Sequence, residues 1–523
     1  MKFNRTHIAL ALAASLSLTG CFDSSSDKKT SEPDVVVPPA AAPSIDVEVN
    51  GNIIDSATGF VISGSTLTFL SEGAPTDAAR LLDDTLSKVS EITSENGSFT
   101  FGFDDQVSLP SITILVEADG YLAQTKVFNI VDAADKNSLA FTLKSETTTG
   151  LKVVKETSTV TNGVVAEEVK IGAAAESGAT EVAIPAGVVL QDADGNPIAG
   201  SDITFQVVAV DTESAGKDAI DITKLLPEGI QDETSTDIFV PLAATVINFT
   251  DENGNAIKSF SAPITVVMNV PAKDGLSEGD QLSFKSYDEI KGVWKEEESS
   301  VTLGALKDGF FPGTFQISTL STKVAGEKQE DGLCSQASTI NFTGDAAIDG
   351  LLFDMTRSIS GGFNTVLSAD TAQLALSGKV ASTETANITV TDSVGNTWAE
   401  VEGASICGAV DVSLTGPGPT ISENLTINAQ CSNDATVTST DAGASVTYRA
   451  AGTQFPFSSA GSAGDGVYSL SNLTDGSTYD VNVNSGLAGV EDFSLQITAD
   501  GSDESTTIAL ECSTGTGTGG TGG

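Results

Sequence analysis

Glu95-Asn96-Gly97-Ser98-Phe99-Thr100-Phe101 is a turn followed by a segment in which every second residue is a phenylalanine. That period of two puts both rings on one face of an extended chain, which is the signature of a half-buried strand. The same grammar extends outward to Val47-Glu48-Val49, Leu67-Thr68-Phe69 and Ile112-Thr113-Ile114, each bounded by Gly, Asn or Asp. Short alternating strands separated by turn residues predict an all-β fold of tandem antiparallel β-sandwich domains. One interruption stands out. Thr76 to Lys88 places Ala79, Leu82 and Leu86 at helical spacing after Pro75, which predicts a short helix there.

The chain has 523 residues, too many for one hydrophobic core, so several domains are expected. Apolar residues make up 40% and the mean hydropathy is +0.07, enough to build cores and to exclude wholesale disorder. Against 25 Lys+Arg stand 71 Asp+Glu, a formal charge of −46. A surface of that sign repels phosphate backbones, so nucleic acid is excluded as a partner. The charge reads as a solvated surface suited to salty surroundings, with unspecific bridging by divalent cations to anionic envelope polymers as a functional alternative.

The N-terminus has the build of an export signal: Lys2 and Arg5, then an apolar run from Ile8 to Leu18, then Leu18-Thr19-Gly20-Cys21. The run is too short to span a bilayer. The Leu-Thr-Gly-Cys string resembles the lipobox of bacterial lipoproteins, which implies cleavage after residue 20 and acylation of Cys21, with the membrane as partner through that lipid. Several buried acyl chains hold far more firmly than one. Phe22 follows the cysteine and Asp23 comes one place later, so the lipoprotein sorting pattern implies the outer membrane, with the domains on its periplasmic face or at the cell surface. Residues 21–43, polar and then Pro-rich, form a flexible tether with a contour of about 70 Å at roughly 3.3 Å per residue.

Residues 44–145 resemble the carboxypeptidase regulatory-like, transthyretin-like domain. The likeness rests on Gly51-Asn52-Ile53-Ile54-Asp55, Thr58-Gly59, Asn96-Gly97-Ser98-Phe99 and Val116-Glu117-Ala118-Asp119-Gly120-Tyr121. It implies a seven-stranded support or docking module without catalytic residues. Residues 146–328 form a larger unit. Val182-Ala183-Ile184-Pro185-Ala186-Gly187, Pro263-Ile264-Thr265-Val266-Val267-Met268 and Gly292-Val293-Trp294 resemble the β-sandwich of ankyrins and netrin receptors. Some relatives of that sandwich cleave themselves at a His-Phe-Ser tripeptide; the nearest stretch here, Phe315-Gln316-Ile317-Ser318-Thr319, lacks the histidine.

Residues 329–420 and 421–513 carry the other four cysteines, and residues 514–523 form a Gly/Thr-rich tail expected to be flexible. Cys334 to Cys407 and Cys431 to Cys512 bracket stretches of similar length. Both end alike, with Ile388-Thr389-Val390 and Gly395 in one and Ile497-Thr498-Ala499 and Gly501 in the other, which reads as a duplicated domain. Gly466-Val467-Tyr468-Ser469-Leu470 and Leu473 through Val481 again resemble the transthyretin-like strand-turn-strand. Four cysteines allow three pairings in an oxidising compartment; one bridge per copy is favoured, with free buried thiols as the alternative.

The chemistry that the residues permit is narrow. The single histidine, His7, lies in the export signal, so no imidazole serves a Ser-His-Asp or Cys-His centre or a zinc hydrolase in the mature chain. No P-loop string occurs, and the cysteine spacings are too long for a zinc site. Asp192-Ala193-Asp194-Gly195-Asn196 looks like the front half of a calcium loop but lacks the closing Glu, and it reads as a hairpin turn; Asp251-Glu252-Asn253-Gly254-Asn255 repeats the device. Trp294 and Trp398 are candidates for a ligand platform or, more in keeping with a sandwich, for the core. No catalytic residue, cofactor or metal is expected. The leading functional reading is a lipid-anchored binding or scaffold protein for a protein or polysaccharide partner. Its rivals are a self-assembling adhesin-like surface protein and an acid-pair hydrolase.

Overall fold

The computed structural model describes residues 45–515 and the backbone of Val35–Val37, apart from short loops at 73, 83–85, 105–106, 132, 134–135, 193–194, 213–219, 232–235, 253–255, 290, 331, 349, 370, 377, 394, 442, 486, 488–489 and 491. Among the described residues the architecture is almost wholly β, in paired sheets that enclose separate apolar cores. The tandem sandwich fold is therefore present. The one helix among them is a single turn, Ile222–Leu225, capped by the Asp221 side chain, which accepts from the Lys224 amide at 3.0 Å.

Residues 45–145 build two facing sheets. In one, Val47–Asp55 lies between Lys136–Ser145, which runs parallel to it, and the antiparallel Ser98–Phe103. In the other, Ser111–Glu117 lies between Ser65–Ser71 and Gln124–Asn129. The alternating phenylalanines do what their spacing demands: Phe99 and Phe101 both enter the core, where the Phe101 ring meets Phe69 edge-on at 4.8 Å. Gly51 is required at its position, since a Cβ there would stand 2.2 Å from Phe99 Cζ and 2.4 Å from the Leu139 carbonyl oxygen.

The third and fourth units repeat this wiring. In residues 329–420, Thr339–Gly344 pairs parallel with Ala409–Leu414 and antiparallel with Gln373–Ala375, against a sheet ordered Gly361–Leu367, Leu351–Arg357, Thr385–Thr391, Thr397–Ser405. In residues 421–513, Thr420–Cys431 pairs parallel with Glu504–Leu510 and antiparallel with Val467–Thr474. The facing sheet is ordered Ser458–Ser459, Ser445–Ala450, Thr478–Asn484, Phe493–Thr498. In all three units the first strand is zipped to the last in parallel. Each sandwich is thus antiparallel apart from that one pair, which ties its chain ends together.

The second unit is larger. Its strands form one continuous sheet folded into two layers: Leu151–Thr159, Asp202–Val210, Ile238–Asp251, Thr322–Gln329 and Gln281–Asp288 make one layer, Val301–Leu303, Phe310–Thr319, Ser259–Pro271, Ala179–Ile184 and Val169–Ala174 the other, and Gln281 and Leu282 pair with Thr302 and Val301 where the layers join. Phe205, Phe249, Phe284 and Phe315 fill the space between them. Prolines that a ladder cannot accommodate sit where it breaks: the register slips between Pro241 and Ala243, and again across Ser259 to Ile264, where Pro263 lies. Phe315 to Thr319 belongs to one of these long strands, paired to its neighbour.

Three expectations need correction. Among the described residues of Thr76 to Lys88 there is no helix; Ala79 and Arg80 pair antiparallel with Val89 and Lys88. Tertiary contacts override the helical spacing there. Ala79 is fully buried in the first core, and the nearly buried Arg80 ion-pairs with Asp104 at 2.8 Å. The tether is not featureless, because Val35–Val37 pairs antiparallel with Ser513–Gly515 at the start of the tail. The third correction concerns the cysteine-bracketed stretches, which do not align as their endings suggest. Ile388-Thr389-Val390 lies in the third strand of its four-stranded sheet, whereas Ile497-Thr498 lies in the fourth strand of its own. The bridges Cys334–Cys407 and Cys431–Cys512 accordingly sit at opposite ends of their parallel pairs, the first where both strands begin and the second where both finish.

Candidate functional site

The four units meet around one large cleft of 2280 Å³, partly open to solvent, to which all of them contribute walls. The seams between them mix apolar packing, such as Leu122 of the first unit in a cluster with Val208 and Leu225 of the second, with polar contacts. First and fourth units are joined by Asn52, whose side chain acts like a strand segment: Nδ2 donates to the Phe457 carbonyl at 2.8 Å and Oδ1 accepts from the Phe457 amide at 3.1 Å. Beside it the Val61 amide donates to the Gln454 carbonyl at 2.8 Å, and the Phe60 and Phe455 rings meet edge-on at 5.1 Å. Thr125 Oγ1 donates to the Glu289 carbonyl in the second unit at 2.9 Å. Gly361 of the third unit packs against Leu226, and Asn472 Nδ2 of the fourth reaches Asp392 of the third at 3.4 Å.

Charge inside the cleft concentrates where the first three units converge. Lys126 and Lys144 project from adjacent segments of the first unit, Asp354 and Asn364 from the third, and Lys224 and Glu228 from the second. Lys126 Nζ donates to Asn364 Oδ1 at 2.5 Å and to the Asn364 carbonyl at 3.3 Å, while Asn364 Nδ2 donates to Thr142 Oγ1 at 3.3 Å. Enclosure by three domains lowers the Lys126 ammonium to about 8, with Lys144 adding to the fall and Glu228 and Asp354 opposing it. Burial likewise lowers Lys144 and raises Asp354, whose rise is opposed by Lys144, Lys126 and Lys224. These side chains keep some accessible surface because the cleft admits water, yet protein surrounds them.

A second lysine site lies deeper. Lys323 is almost fully buried and hydrogen-bonds Thr319 Oγ1 at 3.3 Å; burial brings it to about 8 against the pull of Glu297 and Glu289. Burial raises Glu289 in turn.

The residues singled out from sequence fall in different places. Cys21 lies outside the described residues. Cys334 bonds Cys407 and Cys431 bonds Cys512, one bridge in each of the last two units. At the Asp192 loop, Oδ1 accepts the Asn196 amide at 2.8 Å and Gly195 takes a positive φ of 79°, so this carboxylate is engaged in closing its own turn. Thr250 pairs with Ala256 across the Asp251 turn. No group of three or more metal-ligating side chains converges among the described residues. The tryptophans part company. Trp398 is core, its Nε1 donating to Asp392 Oδ2 at 3.1 Å. Trp294 lines the cleft, half-buried, with Nε1 shared between the Pro227 and Glu228 carbonyls at 3.2 Å each and its ring 5.2 Å from Tyr287. Sequence reasoning missed Lys126, Lys144, Asp354 and Asn364, which lie in ordinary strands and gain meaning only from the domain packing.

A cleft of this size exceeds the roughly 300–1,000 Å³ of small-molecule sites. Its walls carry amides and hydroxyls (Asn129, Gln124, Thr389), a few rings (Trp294, Phe363) and charged groups of both signs (Lys144, Glu228).

No protein-family model matches the chain, and no curated protein matches it. Similarities to solved structures are remote. BcpA, the major pilin subunit of Bacillus cereus, is 9% identical over 89% of this chain and 99% of its own, with a TM-score of 0.13. The Bacillus anthracis TIE protein is 9% identical over 92% and 76%, with a TM-score of 0.14. The RrgB pilus protein from Streptococcus pneumoniae is 9% identical over 89% and 98%, with a TM-score of 0.13. Superpositions this poor carry no argument about the present chain.

Proposed function

We propose that this is a non-catalytic, lipid-anchored protein of the bacterial outer membrane that binds an extended polysaccharide or protein partner in the cleft between its four β-sandwiches. The observation that carries the reading is the cleft itself, framed by every unit and lined by amides, hydroxyls and charged groups of both signs, with Trp294 on its wall. Two further facts support it. The only histidine, His7, lies in the stretch read as an export signal, and Trp294 presents a half-buried ring to the cleft. The shared wiring of the first, third and fourth units supports reading them as copies of one transthyretin-like module, with the ankyrin/netrin-receptor-type sandwich between the first two. A scaffold is favoured over self-assembly because the tail begins by pairing with the chain's own tether, which occupies that strand edge.

The test uses the tryptophan on the wall. Fluorescence of the mature chain is titrated with deacylated lipopolysaccharide, with peptidoglycan fragments and with solubilised outer-membrane protein. A saturable change lost in Trp294→Phe and kept in Trp398→Phe supports the cleft as the site. Binding that leaves Trp294 emission unchanged, or turnover of a polysaccharide probe, refutes the reading. The lipid anchor is tested separately: Cys21→Ser is expected to move the protein from the membrane fraction to the soluble one.

A further inference from the structure

The contact between Lys126 and Asn364 joins an amine to a carboxamide across two domains. Lys126 Nζ lies 2.5 Å from Asn364 Oδ1. A carbonyl bond is about 1.23 Å, so the amine stands no farther than about 3.7 Å from the amide carbon, close to a near-attack distance. The amide itself is held on both sides, its Nδ2 donating to Thr142 Oγ1 at 3.3 Å. Asp354 sits directly opposite Asn364 in the antiparallel register, and both line the cleft. Opposed residues on one sheet face bring their Cβ atoms to about 5 Å, so the carboxyl is within reach of the amide.

We propose that Lys126 and Asn364 form an isopeptide bond that covalently ties the first unit to the third, with Asp354 as the proton carrier. The neutral amine attacks Cγ of Asn364, forming the N–C bond and a tetrahedral centre. The protonated Asp354 carboxyl gives its proton to Nδ2, the Cγ–Nδ2 bond breaks, and ammonia leaves. The carboxylate then takes the surplus proton from the former lysine nitrogen, which regenerates the acid. Atoms and charge balance without an oxidant or a cofactor.

The surroundings favour both reactive forms. Enclosure lowers the lysine to about 8, so about a tenth of it is neutral at pH 7, and raises the aspartic acid, which keeps it protonated more of the time. The tie would add a covalent link to a junction where Lys126, Asn364 and Thr142 are already joined by hydrogen bonds.

The full mature chain is digested with trypsin after denaturation and its peptides are weighed. The proposal predicts a branched species in which residues 89–136, uncut at Lys126, are joined to residues 358–379, lighter than the two peptides together by one ammonia. Asn364→Ala removes the branch and restores cleavage at Lys126. Asp354→Ala also removes it while leaving the melting of the second unit unchanged. Free peptides ending at Lys126, with Asn364 intact in the wild-type digest, overturn the proposal; so does a branch that persists in Asn364→Ala.

Discussion

Removing the two disulfides one at a time should cost the molecule unequal amounts in two places only. The bridges close segments with sequence separations of 73 and 81 residues. In the chain-entropy description each restricts the unfolded chain by about 4 kcal/mol. For a unit of roughly 60–100 residues, where each kcal/mol moves the melting temperature by about 4–8 °C, that corresponds to about 15 °C or more. The environments then separate the pair. Cys334 and Cys407 are half-buried, whereas Cys431 and Cys512 are buried in a small core with Leu487 and Leu510. Cys431→Ala/Cys512→Ala should therefore lose packing as well and fall further than Cys334→Ala/Cys407→Ala. A thiol reductant should open Cys334–Cys407 first, because attack on a disulfide needs access to a sulfur. Scanning calorimetry of the three proteins, with and without reductant, reads both effects. Transitions of the first two units should stay in place. If neither double variant shifts a transition, or if all four units shift together, the assignment of one independent bridge to each of the last two units is wrong.

Other outcomes follow from single residues. Gly51→Ala should destabilise the first unit strongly in a denaturant melt, because the new Cβ has no room between Phe99 and the Leu139 carbonyl. Arg80→Ala should cost that unit about 2–3 kcal/mol by leaving Asp104 without its ion pair, whereas Lys170→Ala, whose partner Glu168 is exposed, should cost less than about 1 kcal/mol in the same assay. Lys323 is lowered to about 8 in the fold from 10.5, so between those values the unfolded chain binds the extra proton and this group makes stability rise with pH. Against a Lys323→Met variant, wild-type stability measured by urea unfolding should climb as pH goes from about 8 toward 10. A flat or falling difference would show that the ammonium is not disfavoured in the core. Asn52→Ala should loosen the seam between first and fourth units, read as faster amide exchange at Phe457 with the exchange of each sandwich core unchanged.

How far the fold could be read in the residues depended on whether local chemistry or assembly decided the matter. Phe99 and Phe101 alternate because the strand is local, and the Asp192 turn closes with its own side chain, so both were legible. The spacing of Ala79, Leu82 and Leu86 suggested a helix because periodicity is blind to a partner; Arg80 answers to Asp104, and Ala79 to the core. The single helical turn at Ile222–Leu225 is too short to leave a periodic signal, although Asp221 is a regular cap. Likeness between Ile388-Thr389-Val390 and Ile497-Thr498-Ala499 reflected what any half-buried strand before a turn looks like, so it misaligned the two disulfide units while their wiring agrees. The cleft was invisible because its seams join residues up to 405 positions apart. Lys126, Asn364 and Asp354 carry no mark in the sequence that separates them from other surface residues, and only the packing of domains encloses them.

Everything functional here depends on four sandwiches gathering around one space instead of trailing along a string. Small-angle X-ray scattering of the mature, delipidated chain measures that directly. Compact-body scaling gives a radius of gyration of about 23 Å for some 470 residues, and the cleft and tether raise it modestly. The account predicts a value of about 25–30 Å with a distance distribution of one main peak, at low and high salt alike. A value about half as large again, with the multiple peaks of beads in line, would contradict it and leave the cleft without walls.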